Sequence, residues 1–142
     1  MIVVDTTILA YAVGLPHPLK DPSERFLDAV SLGKVHASTT AEVIQEFAHI
    51  RSRRFPRAEA VRVARGFAHL LAPLLPTSED TLEEGLAIYA RKADLGSFDA
   101  VLAATAIANG ARALLSADTA FASVPGLRHV VPGTPDFDRL IA

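Results

Sequence analysis

The chain opens on an uninterrupted apolar run, Met1-Ile2-Val3-Val4, closed by Asp5. A continuous apolar run, as opposed to an alternating one, marks a strand buried on both faces, as in a parallel sheet. Runs of the same kind at Val35 to Ser38, Ala113 to Ser116 and Leu127 to Val131 predict three further strands. Helical spacing fills the intervals. Thr6 to Val13 predicts a helix stopped by Gly14 and Pro16. Asp21-Pro22 opens a second through about Leu32, with Pro22 in its first turn and Gly33 just past its end. Thr39-Thr40-Ala41-Glu42 has capping-box spacing, with Thr39 as N-cap, and predicts a helix to about Arg54. Phe55-Pro56 breaks it, and Arg57 to about Leu71 completes an αα-hairpin. Ser78 caps a helix from Glu79 to about Lys92. Ser97 caps the most apolar helix, which ends at Asn109-Gly110, and a short helix spans Phe137 to Ala142.

Strands alternating with helices call for crossover connections, hence a parallel sheet covered on both sides. The wholly apolar first strand should lie inside that sheet. The fold class expected is α/β, and 142 residues without repeat or linker read as one domain, 1–142. Half the residues are hydrophobic and 21% are charged, a balance that suits a layered core. No run is long enough to span a membrane, and the first residues form a strand in place of a leader. With no cysteine, disulfides and thiolate zinc sites are excluded, and a cytoplasmic setting is compatible. A net charge of −2 gives no global sign of a nucleic-acid partner.

The candidate chemistry lies in acids placed where strands give way to helices. Asp5 ends the first strand, Asp118 follows the third, Asp99 heads the apolar helix, and Glu46 sits inside the helix after the second strand. In open α/β sheets ligands bind beyond the carboxyl ends of the strands. Each acid also has a plain structural reading: Asp5 and Asp99 as helix-terminal residues, Asp118 as a turn former. Glu42 and Glu46 share a helix face. Glu42 has a capping role available and Glu46 has none, so Glu46 is the preferred ligand and Glu42 the alternative. Ser116, two residues before Asp118, is placed to orient a carboxylate. Converging carboxylates repel unless a cation joins them. Oxygen donors without paired cysteines or spaced histidines favour Mg2+ (or Mn2+) over zinc.

Arg51, Arg53, Arg54, Arg57, Arg62 and Arg65 crowd the hairpin, with Glu59 the sole acid among them. A solvated face is one account. Bidentate grip on a phosphate polyanion is the other. The five histidines share no metal-ligand spacing.

Four segments in order resemble the PIN domain family, and within it the VapC-type toxins of VapBC toxin–antitoxin pairs. They are Val3-Val4-Asp5-Thr6-Thr7, Val43-Ile44-Gln45-Glu46-Phe47, Phe98-Asp99-Ala100-Val101-Leu102-Ala103-Ala104 and Leu115-Ser116-Ala117-Asp118-Thr119-Ala120-Phe121. The resemblance spans essentially the whole chain. It implies a three-layer α/β/α sandwich around a parallel sheet and metal-dependent endoribonuclease cleavage of RNA, often tRNA or rRNA. It implies Asp5, Glu46, Asp99 and Asp118 as the catalytic, metal-binding quartet, with Thr7 and Ser116 in support. Ser116 stands where threonine is more usual. A VapB-type antitoxin seated between the first helices and the Arg hairpin, and a homodimer, are further implications. Arg51, Arg53, Arg54 and Arg57 are then expected to hold RNA. The rival reading is a non-catalytic RNA-binding or scaffolding domain of the same fold. No G-x-x-x-x-G-K-[ST] or G-x-G-x-x-G motif points to nucleotide binding.

Overall fold

Four short strands pair in parallel in the order β2-β1-β3-β4: β1 Ile2–Val4, β2 Ala37–Ser38, β3 Ala113–Leu115 and β4 His129–Val130. The coordinates are a computed structural model and describe residues 1–142. Seven helices connect and flank the strands: α1 Thr6–Ala12, α2 Lys20–Ser31, α3 Ala41–Arg51, α4 Arg57–Leu70, α5 Glu79–Arg91, α6 Ser97–Ala108 and α7 Pro135–Ile141. A 3-10 turn, Thr119–Ser123, follows β3. Every residue of β1 and β3 is buried, which requires helices on both faces of the sheet. The result is a three-layer α/β/α sandwich.

As its sequence demands, β1 lies inside the sheet. Val3 faces Ser38 of β2 on one side and Leu114 of β3 on the other, and Val4 faces Leu115. The carboxyl ends of β1 and β3 therefore lie side by side. Asp5 and Ser116, the next residue of each chain segment, become neighbours across 111 positions of sequence.

Two expected caps are corrected. Thr40, and not Thr39, caps α3, accepting from the Val43 amide at 3.3 Å. The buried Thr39 hydroxyl donates instead to the Val4 carbonyl at 2.6 Å, tying the end of β2 to the end of β1. Glu42 then falls in the second helical position and closes no capping box. Likewise Gly96 is the N-cap of α6, and Ser97 is its first helical residue with no capping bond. Ser78 does cap α5, with Thr81 as reciprocal partner.

The predicted αα-hairpin forms from α3 and α4. Phe47 and Phe67 pack edge to face across it, centroids 5.0 Å apart. α5 and α6 pack most closely at Gly85. A methyl group there would come within 2.6 Å of the Val101 Cα, so only glycine permits this approach.

Candidate active site

Asp5 occupies the N-cap position of α1, yet its carboxylate caps nothing. Its Oδ2 accepts from the Ser116 hydroxyl at 2.7 Å and from the Thr7 hydroxyl at 3.0 Å. Each hydroxyl is itself fixed by a backbone amide: Ala117 N–H donates to Thr7 Oγ1 and Asp118 N–H to Ser116 Oγ, both at 3.0 Å. The carboxylate is buried, 3% exposed, and its orientation is set by four hydrogen bonds of one network. Capping therefore does not explain Asp5.

Asp118 keeps its structural role. Its Oδ1 accepts from the Ala120 amide at 2.9 Å and starts the 3-10 turn. Glu46 comes from α3, which packs on α1, and its Oε2 accepts from the Thr6 hydroxyl at 2.9 Å. Asp99 lies in the first turn of α6 and makes no capping bond. Burial, first, and then the charges of Asp5, Glu46 and Asp118 push its carboxyl up to about 7. The charges of acids from three other elements thus act on Asp99.

Asp5, Glu42, Glu46 and Asp99 line one cleft of about 260 Å³, together with the apolar side chains of Leu82 and Phe98. No lysine or arginine lines it. Glu42 sits exposed at the rim and is absent from the charges acting on Asp99, whereas Glu46 is among them. The donors are all oxygens and lack a counter-charge, which fits a hard divalent cation. No three of these side chains already stand close enough to enclose an ion.

The basic hairpin divides into two kinds of arginine. Arg51 is taken up by the fold. Its Nε and Nη2 donate to Glu59 at 3.1 and 2.8 Å, its Nη1 donates to the Val13 carbonyl at 2.7 Å, and it lies 3.7 Å over the Phe55 ring. Its side chain is only 14% exposed and is held by these contacts, which argues against the expected part of Arg51 in holding RNA. Arg53, Arg54 and Arg57 are exposed. Arg53 and Arg54 border a second, larger cleft of about 520 Å³, between α1, its following loop and the hairpin turn. Thr6 was not expected at this site, its place in a first turn beside Asp5 being the available signal, and neither was the exposed apolar wall of Leu82, Leu86 and Phe98.

Comparison with known proteins identifies the family. A family model described as PIN domain covers residues 2–127. The chain belongs to the PIN domain family. It is 44% identical over 133 residues to Ribonuclease VapC7 of Mycobacterium tuberculosis, covering 93% of this chain and 92% of that relative. It is 31% identical to Ribonuclease VapC13 of the same organism, over 92% of this chain and 99% of that one. Among solved structures it is similar to VapBC2 from Rickettsia felis bound to a DNA fragment from their promoter. That match has a TM-score of 0.72 at 21% identity, and covers 92% of this chain and 98% of the other. In this PIN domain Asp5, Glu42, Glu46 and Asp99 line the smaller cleft, and Asp118 lies outside that lining.

Proposed function

We propose that this chain is a metal-dependent endoribonuclease and the toxin of a type II toxin–antitoxin pair. The observation that carries the proposal is the uncompensated acidic cleft: Asp5, Glu42, Glu46 and Asp99 line it with no basic side chain among them, and burial with the charges of Asp5, Glu46 and Asp118 raises the Asp99 carboxyl. Relatives named VapC ribonucleases support the same reading.

Asp5 and Asp99 would hold a Mg2+ or Mn2+ ion, with Glu46 and Asp118 completing its surroundings directly or through water. Such an ion, when bound, supplies charge neutralisation for a phosphodiester and a nucleophilic water at neutral pH. Ser116 and Thr7 keep the Asp5 carboxylate aimed by occupying Oδ2 and leaving Oδ1 without a hydrogen-bond partner. Thr6 does the same for Glu46. Asp99, raised to about 7 by burial and by the neighbouring carboxylates, is the acid whose ionisation a bound cation would relieve most. Arg53 and Arg54, which border the larger cleft, and the exposed Arg57 would take phosphates that the acids repel.

A VapB-type antitoxin segment would lie in the larger cleft bordered by Tyr11, Leu15, Ile50, Arg53 and Phe55, an apolar channel with a basic rim. Bound there, it would compete with RNA for the same arginines. A homodimer, an RNA target of the tRNA or rRNA class and a cytoplasmic site of action belong to the same proposal.

Purified protein should cleave RNA only with added Mg2+ or Mn2+. Asp5→Asn and Asp99→Asn should each abolish cleavage while leaving the helix content intact. Undiminished cleavage by the Asp5→Asn, Asp99→Asn double variant rejects the proposal.

A further inference from the structure

Phe98 is the second residue of α6, immediately before Asp99, and 78% of it is exposed. Leu82 and Leu86, 45% and 43% exposed, are one helical turn apart on α5 and face the same cleft. These three form an apolar wall continuous with the acids. Exposed side chains of this size, grouped and unpartnered, mark an interaction surface.

What the wall meets follows from the charge of the cleft. Its lining contains four carboxylates and no cation, so a phosphate chain gains nothing there from the protein's own charges. The attraction left for RNA, beyond a bound ion, is apolar contact with a base. An aromatic face stacks on any base, and only on one that is unpaired. The cleft, at about 260 Å³, is below the ~300–1,000 Å³ usual for small-molecule pockets, a size for one nucleotide and not for a duplex. Thr77 and Ser97 stand in the same lining, with hydroxyls suited to a base edge or a 2′-hydroxyl.

We propose that Phe98, backed by Leu82 and Leu86, is a stacking platform for an unpaired base of RNA next to the phosphate being cleaved. This deepens the ribonuclease reading and rests on it: Phe98 sets the position of the nucleotide entering the acids.

The test measures binding of fluorescently labelled RNA octamers in Ca2+ to the wild-type chain, Phe98→Ala and Phe98→Trp. The octamers are a random-sequence single strand, the same pool as duplex, and an abasic ribose-phosphate strand. Stacking on an aromatic is worth about 5-fold or more in affinity per base. The single strand should therefore bind Phe98→Ala about 5-fold or more weakly than wild type, the abasic strand should bind both equally, and Phe98→Trp should restore the loss. Equal affinity of Phe98→Ala and wild type for the single strand overturns the platform. So does an equal loss on the abasic strand. A lower native mass of Phe98→Ala also overturns it, since Phe98 would then belong to an interface between copies of this chain. Cleavage with and without Asp99→Asn is scored separately. A chain that binds single strands through Phe98 but cuts nothing upholds the platform and rejects the nuclease.

Discussion

The Ser116 hydroxyl donates to Asp5 Oδ2 at 2.7 Å, joining the ends of two adjacent parallel strands. The same oxygen of Ser116 accepts the Asp118 amide, so one small side chain orders two of the four acids. Groups that orient a metal-binding carboxylate typically matter by about 10- to 100-fold in activity or metal affinity. Ser116→Ala should lower cleavage by that amount, and Ser116→Thr, which keeps the hydroxyl, should recover most of it. Steady-state rates with the three proteins at saturating Mn2+ check this.

Asp99 makes the stability of the metal-free chain fall as pH rises. Its carboxyl has an ordinary value of 3.8 and is raised to about 7 in the fold, chiefly by burial and then by the Asp5, Glu46 and Asp118 charges. Between those values the folded state holds a proton that the unfolded state has lost, so the contribution is greatest below about 3.8 and is lost as pH climbs through 7. Asp99→Asn should therefore melt a few degrees above wild type at pH 8 in EDTA, with no such gain at pH 4. The side chain is partly exposed, so solvent screening keeps the effect to on the order of 1 kcal/mol. Thermal melts of both proteins across that pH range measure it.

Arg51 and its neighbours should separate cleanly. Arg51→Ala breaks the ties to Glu59, Val13 and Phe55 and should lower the melting temperature by several degrees. Arg53→Ala with Arg54→Ala should leave melting unchanged, weaken RNA binding and make it less salt-dependent, each lost phosphate contact reducing the slope of log affinity against log salt by about 0.7. Calorimetric melting and a salt series of RNA titrations distinguish the two cases.

The organisation of the fold was legible in the sequence because its strands are uniformly apolar and its helices are punctuated by Pro, Gly and Ser. Asp5, Asp99 and Asp118 stood out for their positions at strand ends and a helix start, and Glu46 for having no capping role inside its helix. What local pattern could not give was competition between distant partners. Thr39 has the spacing of a cap, but the Val4 carbonyl takes its hydroxyl, and Thr40 caps α3 in its place. Arg51 reads like its basic neighbours until the hairpin folds Glu59 against it. The exposure of Phe98 was equally hidden, since an apolar residue opening an apolar helix reads as core.

Gly85 should prove intolerant of even a methyl group. Gly85→Ala would press on the Val101 backbone and shift α6, the helix that carries Asp99. Overpacking of this kind costs about 1–3 kcal/mol. Cleavage should fall along with stability, and both are read from one preparation by a melt and an activity assay.

Calorimetric titration of the chain with Mn2+ bears most directly on whether the four acids form one metal site. The account predicts a saturable, site-specific heat for the wild-type protein near neutral pH, weakening below pH 7 as Asp99 takes its proton, and abolished in Asp5→Asn and Asp99→Asn. No saturable heat in the wild-type protein, or the same heat in both variants, would contradict it.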